Sequence, residues 1–317
     1  MPRACPARSS LPQRTSRIDW VVAAVASTVI YAGVSISDKI ILSRFGLRLA
    51  TFNFFVGFSQ FCVGVVILIV YPLPAVGVGT VVGGIGVGVL WGAGLLFLFA
   101  VLQREEVSRV VPVFQTYPIF VALMAVALLG EVIGPLKWLA ILLAVGGAVL
   151  VSLRRADLGG GMRIRPGFLL LVVGAFLAAS AQIVLKETSE DLSVWHSLAL
   201  RGIGLGLVMS LPTFRPRVFR ELGRFFVTGK RGLLLFGAET VGAITGNVLL
   251  IYAIGQGPVS LASAILGTRP LFVFGASLAL GFAAHGLLDE RLDRPTVLLK
   301  LAAAFMVAGA LTLIAVG

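Results

Sequence analysis

Three ionisable residues lie deep inside long apolar runs: Arg201, Arg269 and Glu239. Asp38 and Lys300 lie nearer the ends of two others, where a long side chain can snorkel toward water. A charge at mid-bilayer costs about 2.5–3.5 kcal/mol on insertion scales, so it is retained where it meets a partner, a solute or an ion. Two arginines against one glutamate leave a local excess of positive charge. That balance favours a solute with a carboxylate or phosphate, which guanidinium binds through a planar fork. Glu239 would position an arginine or serve as a proton-coupling acid, because a buried carboxylate without a partner favours its neutral form. The alternative is a Glu239–Arg pair that only holds helices together.

These residues need a membrane around them. The chain is 58% hydrophobic and 13% charged, where a soluble domain carries about 25% charged residues. Its mean hydropathy is +1.02. Runs of about 20 apolar residues span a bilayer as helices, and ten such runs occur, at approximately 20–41, 51–71, 79–101, 110–129, 136–153, 167–186, 194–211, 232–254, 258–280 and 296–316. The expectation is an all-α polytopic membrane protein, with membrane lipids as its surroundings and the cell membrane as its location. Residues 1–17, with Arg3, Arg8, Arg14 and Arg17 among Pro and Ser, read as a disordered basic tail before a retained first span. Arg154 to Arg165, with Gly159, Gly160 and Gly161, reads as a linker between two sets of five spans. Between the seventh and eighth spans, Val218, Phe219, Leu222, Phe225 and Phe226 recur at helical spacing among six basic residues. This fits a short basic helix in the interface, or else a charged loop.

The two halves, 18–153 and 166–317, resemble each other. Val107, Ser108, Thr116, Pro118, Phe120 and Val121 recur 152 residues later as Val259, Ser260, Thr268, Pro270, Phe272 and Val273. Gly94 matches Gly246, Lys39 matches Lys186, and Glu131 matches Glu290 after a seven-residue insertion. Five spans per copy is an odd number, so the second copy must enter the membrane from the opposite side. Inverted repeats give two nearly equivalent shapes, one open to each side, which is the geometry of alternating access.

By repeat position, Arg201, Arg269 and Glu239 correspond to Gln60, Tyr117 and Val87. The second copy therefore supplies the ionic groups, and the first supplies Tyr117, Gln60, Gln115, Asn53 and Trp91 as the polar lining. Lys39, beside Asp38, and Lys186, beside Glu187, close equivalent helices and act as interfacial anchors or as a gate on each side. Pro118 and Pro270 lie inside matched spans. Each removes a backbone donor, so both helices should kink, with the freed carbonyl turned toward protein or a wet cavity. The pairs Gly88/Gly92 and Gly242/Gly246 have the spacing of close helix approach.

The Pro-centred helix ending in Glu (Pro118 to Glu131), followed by a helix with Gly146 and Gly147, and its second copy (Pro270 to Glu290, then Gly309), resemble the ten-helix EamA-type members of the drug/metabolite transporter superfamily. The resemblance covers roughly residues 18–316. It implies export or exchange of small metabolites, amino acids or drugs, often coupled to an ion gradient, with both chain ends in the cytoplasm. Two departures are the extra residues around His285 and the uncharged gap between the second and third spans. The charge count also disagrees with the implied topology. Gaps on one side hold 17 Lys and Arg, counting lysines at helix ends, against 6 on the side of the termini. The positive-inside rule would place the termini outside.

Other classes fit less well. Basic residues lie in gaps between spans, as headgroup contact requires, so no nucleic-acid partner is expected. Two cysteines, Cys5 and Cys62, and two histidines, His196 and His285, provide no metal or disulfide framework, and no cofactor is implied. A lipid enzyme would need a polar cluster at one interface. A channel or a non-transporting membrane interaction protein is the third reading; a channel would need a polar stripe or an oligomeric pore. With no nucleotide motif, a transporter of a small-molecule substrate would draw on a gradient or on exchange. The oligomeric state is not legible.

Overall fold

A computed structural model describes residues 13–44, 47–102, 107–152, 166–227, 230–283 and 294–316. Every regular element among them is helical. The order is α1 (Gln13–Arg44), α2 (Leu49–Val70), α3 (Val78–Leu102), α4 (Val107–Phe114), α5 (Tyr117–Leu129), α6 (Pro135–Ser152), α7 (Pro166–Thr188), α8 (Val194–Ser210), α9 (Pro216–Val227), α10 (Lys230–Gln256), α11 (Val259–Gly267), α12 (Arg269–Ala283) and α13 (Arg294–Val316). Among the described residues seven stretches are long and apolar enough to cross a bilayer, and three shorter apolar ones, within α5, α6 and α13, accompany them. The chain is an all-α, multi-pass integral membrane protein. The linker at 154–165, the insertion around His285 and Glu290 lie outside the described residues.

Two boundaries differ from expectation. α1 begins at Gln13, inside the stretch read as a tail, because Gln and Arg continue a helix readily once an apolar run has nucleated it. The fourth and ninth rods are broken rather than kinked. α4 stops at Phe114 and α5 starts at Tyr117, next to Pro118; α11 stops at Gly267 and α12 starts at Arg269, next to Pro270. The matched threonines stitch both breaks in the same way. Thr116 Oγ1 donates to the Val113 carbonyl (2.7 Å), and Thr268 Oγ1 donates to the Ile265 carbonyl (2.6 Å). These bonds occupy carbonyls at the two interruptions, which is what low-dielectric surroundings demand of an interrupted helix.

The order of contacts along the helices fixes their directions. α3 runs against α7: Gly83 faces Thr188, Gly94 faces Gly174, and Val101 faces Gly167. α2 also runs against α8, with Gly57 beside Met209 and Gly64 beside Ala199, and α3 runs along α8, with Gly84 beside Leu200 and Gly92 beside Leu205. α1 opposes α10, with Ser27 bonded to the Gly246 carbonyl and Trp20 on Gly257. Since α1 and α3 point the same way and α7 opposes α3, equivalent helices of the two halves point in opposite directions.

The closest approach is between α3 and α8. A Cβ at Gly88 would collide with the Arg201 carbonyl, and one at Gly204 with the Ile85 carbonyl. Glycine is needed at both because the obstacle is backbone, which cannot rotate away. Gly88→Ala is therefore expected to lower the stability of the purified protein by about 1–3 kcal/mol. Gly79→Ala, which meets open space, should melt like the parent. Equal melting of the two variants would contradict this packing.

Candidate functional site

Tyr31, near the middle of α1, organises the buried polar cluster. Its ring lies against Gly246 of α10, where a Cβ would come within 3.0 Å of it. On its face sits the Arg269 guanidinium, 4.6 Å from the ring centroid. Arg201 of α8 lies against the Tyr31 hydroxyl and over Trp91 of α3, 5.5 Å from that ring. Trp91 meets Tyr117 edge to face at 6.1 Å, and the Tyr117 hydroxyl donates to the Ser263 carbonyl of α11 at 3.5 Å. α1, α3, α5, α8, α10, α11 and α12 thus converge on one site, and both halves contribute.

The arginines are held against rings rather than against Glu239. Such placement retains their charge in an apolar setting, since a ring face attracts a cation. Glu239 is 3% exposed and accepts a hydrogen bond from Thr240 at 3.3 Å. Among the described residues no ion pair joins it to either arginine. The two guanidinium charges act on each other, and Glu239 acts on both Tyr31 and Asp38. Asp38 also senses Arg269, and its Oδ1 is buried without a hydrogen-bond partner. This corrects the charge count from sequence. With Asp38 drawn in, two arginines face two carboxylates, and positive charge exceeds negative only when a carboxylate carries a proton.

Some expected residues join this cluster and others do not. Arg201, Arg269, Glu239, Tyr117, Trp91 and Asp38 are brought together. Gln60 is buried, but its backbone carbonyl packs on Gly202 at the α2–α8 contact. Asn53 is buried with Oδ1 unpartnered, and Gln115 lies in the break between α4 and α5. Pro118 packs on Gly267, while Pro270 is half-buried in the first turn of α12. Tyr31 was missed. A tyrosine in an apolar run looks like an interfacial aromatic; the one signal was the matched glycine at 246, which makes room for its ring. Beside the cluster an apolar groove of about 490 Å³ opens between α1, α12 and α13, lined by Val29, Ala32, Leu271, Phe272, Phe274 and Leu301 among others.

Residues 18–153 match the family model described as the EamA-like transporter family. The similarity spans the first of the two copies, a little under half of the chain. The crystal structure of another protein superposes with a TM-score of 0.68 at 17% identity. The match covers 95% of this chain and 96% of the other, so the two share the fold. No curated protein matches the chain. Over residues 18–153 the chain is similar to a family of membrane transporters.

The two matched lysines sit in unequal surroundings. Lys39 is exposed, whereas Lys186 is half-buried and donates to the carbonyls of Gly255 (2.9 Å) and Gly257 (3.0 Å), at the end of α10. Immediately beyond, Glu131 accepts from the Val259 N–H (2.7 Å) and the Ser260 hydroxyl (2.5 Å), capping α11 from the other half. The turn between α10 and α11 is therefore pinned from two directions. It lies on the side of the membrane from which α1 starts. There the chain is also tied by Thr80 to Asp191 (2.9 Å) and by His196 to the Pro72 carbonyl (3.2 Å).

Proposed function

We propose that this protein is an EamA-type transporter that moves a small solute bearing a carboxylate or phosphate by alternating access between two inverted copies, residues 18–153 and 166–317. The observation that carries the reading is a pair of guanidinium groups, Arg201 buried and Arg269 half-buried, on either side of Tyr31 and near enough to act on each other. An anion between them would relieve that repulsion and receive planar, charge-assisted hydrogen bonds. Trp91 and Tyr117 form the apolar wall, with Gln60, Gln115 and Asn53 as further lining. Asp38 and Glu239 are the coupling acids: a proton gained or lost there changes the site charge by one. Lys186 belongs to the gate on one side and Lys39 to the gate on the other. The cluster of ties at the α10–α11 turn supports a form closed on that side.

Purified protein in liposomes should show saturable counterflow of labelled carboxylates or organic phosphates, and none of cations of the same size. Non-saturating flux would indicate a channel, and altered lipid an enzyme. Glu239→Gln is expected to transport with a flattened pH profile, since the variant has no proton to exchange at that position. A profile identical to that of the parent would remove Glu239 from the coupling step.

A further inference from the structure

The gap between α8 and α10 holds a surface that the central site does not use. α9 buries Val218 and Phe225 against the bundle, and Phe225 packs edge to face on Phe236 of α10 at 4.8 Å. Glu221 on the same helix accepts from the Arg48 N–H (3.0 Å) and from Thr51 Oγ1 (2.7 Å), so a carboxylate from α9 caps the N-terminus of α2. The outward surface is split into two strips. On one, Phe219 (43% exposed) and Phe214 (67% exposed) lie 5.0 Å apart and continue through Phe54 to Phe58 (50% exposed) as an aromatic patch. On the other, Arg217 and Arg220 share a face of the helix, with Arg215 just before it, all exposed.

We propose that this surface is a binding site for anionic phospholipid headgroups, with the aromatic patch seated among the acyl chains. Three features favour that occupant. The apolar and basic strips run side by side along one helix, as an element lying in the plane of an interface requires. Phenylalanine rings at 43–67% exposure are poorly suited to water but suit the level just below the phosphates. The basic strip lies on the side that carries 17 of the chain's 26 Lys and Arg, which the positive-inside rule assigns to the anionic cytoplasmic leaflet. Because Glu221 ties α9 to the start of α2, and α2 packs along α8 where Arg201 resides, headgroup binding also braces the helix that carries the site.

The test uses the full-length purified protein in neutral detergent, melted with added phosphatidylglycerol, phosphatidylcholine or inorganic phosphate. Phosphatidylglycerol should raise the melting temperature by about 5 °C, through mass action on the folded state. The other two should have little effect. The triple variant Arg215→Gln/Arg217→Gln/Arg220→Gln should melt like the parent without lipid and lose the phosphatidylglycerol increment. Phe214→Ser/Phe219→Ser should weaken it while leaving the arginines in place. The proposal is overturned if the triple variant keeps the full increment, if phosphatidylcholine stabilises equally, or if inorganic phosphate reproduces the effect. A triple variant that is already less stable without lipid would also overturn it, because the arginines would then serve the fold rather than a ligand.

Discussion

Arg201→Gln is expected to reduce transport of an anionic solute by about 10- to 150-fold, the equivalent of one lost charge-assisted contact of about 1.5–3 kcal/mol. The size of the effect follows from how Arg201 is placed. It is 5% exposed, its backbone carbonyl lies against Gly88, and its guanidinium is fixed between Trp91 and the Tyr31 hydroxyl. Little side-chain entropy remains to be lost when a ligand binds, so most of the contact energy appears as affinity. Arg201→Lys should recover only part of the loss, because an ammonium keeps the charge but not the planar fork. Counterflow and ligand-induced melting shifts would be measured together on both variants. If Arg201→Gln folds, melts like the parent and carries the same solute with an unchanged KM, the anion-binding role is wrong.

Much of the scaffold was legible because membrane burial leaves few choices. Apolar runs of spanning length must be helices, and a proline inside one must interrupt its hydrogen bonding. The 152-residue recurrence of Thr and Pro carried over to matched breaks at 116 and 268, although the sequence suggested a bend where the chain is interrupted. α9 was legible from the spacing of Val218, Phe219, Leu222 and Phe225. Contacts between residues far apart in the chain were not. Tyr31 gains its role from Arg269, Arg201 and Gly246, all in the other half, and no local pattern announces that meeting. Depth alone left Glu239 as an arginine's partner or as a coupling acid, but aromatic faces compete for guanidinium as well, and here Trp91 and Tyr31 hold both. Glu131 read as the end of a helix; its partners at 259 and 260 lie across the interface between the copies.

Those partners make Glu131→Ala the most informative change outside the central site. α11 begins after Pro258, which offers no side-chain cap, so the first N–H groups of this buried helix depend on Glu131. Its carboxylate accepts two hydrogen bonds and also meets the positive end of the helix dipole, contributions of about 1.5–3 and 0.3–2 kcal/mol respectively. Lys186 holds the preceding carbonyls and feels the charge of Glu131, so the two residues secure a single turn. Alanine at 131 should shift the balance between closed and open forms on that side by about 10- to 100-fold. Ser263 is fully buried on α11, and its carbonyl accepts the Tyr117 hydroxyl, so it reports whether the wall of the site has become accessible. A cysteine introduced there, with Cys5 and Cys62 replaced, should react with a water-soluble maleimide correspondingly faster in the Glu131→Ala background. Lys186→Met should also speed labelling, and the double variant should fall short of the sum because both residues act on one turn. Unchanged labelling together with unchanged transport in Glu131→Ala would mean that the turn is held by apolar packing alone, with the polar ties incidental to closure.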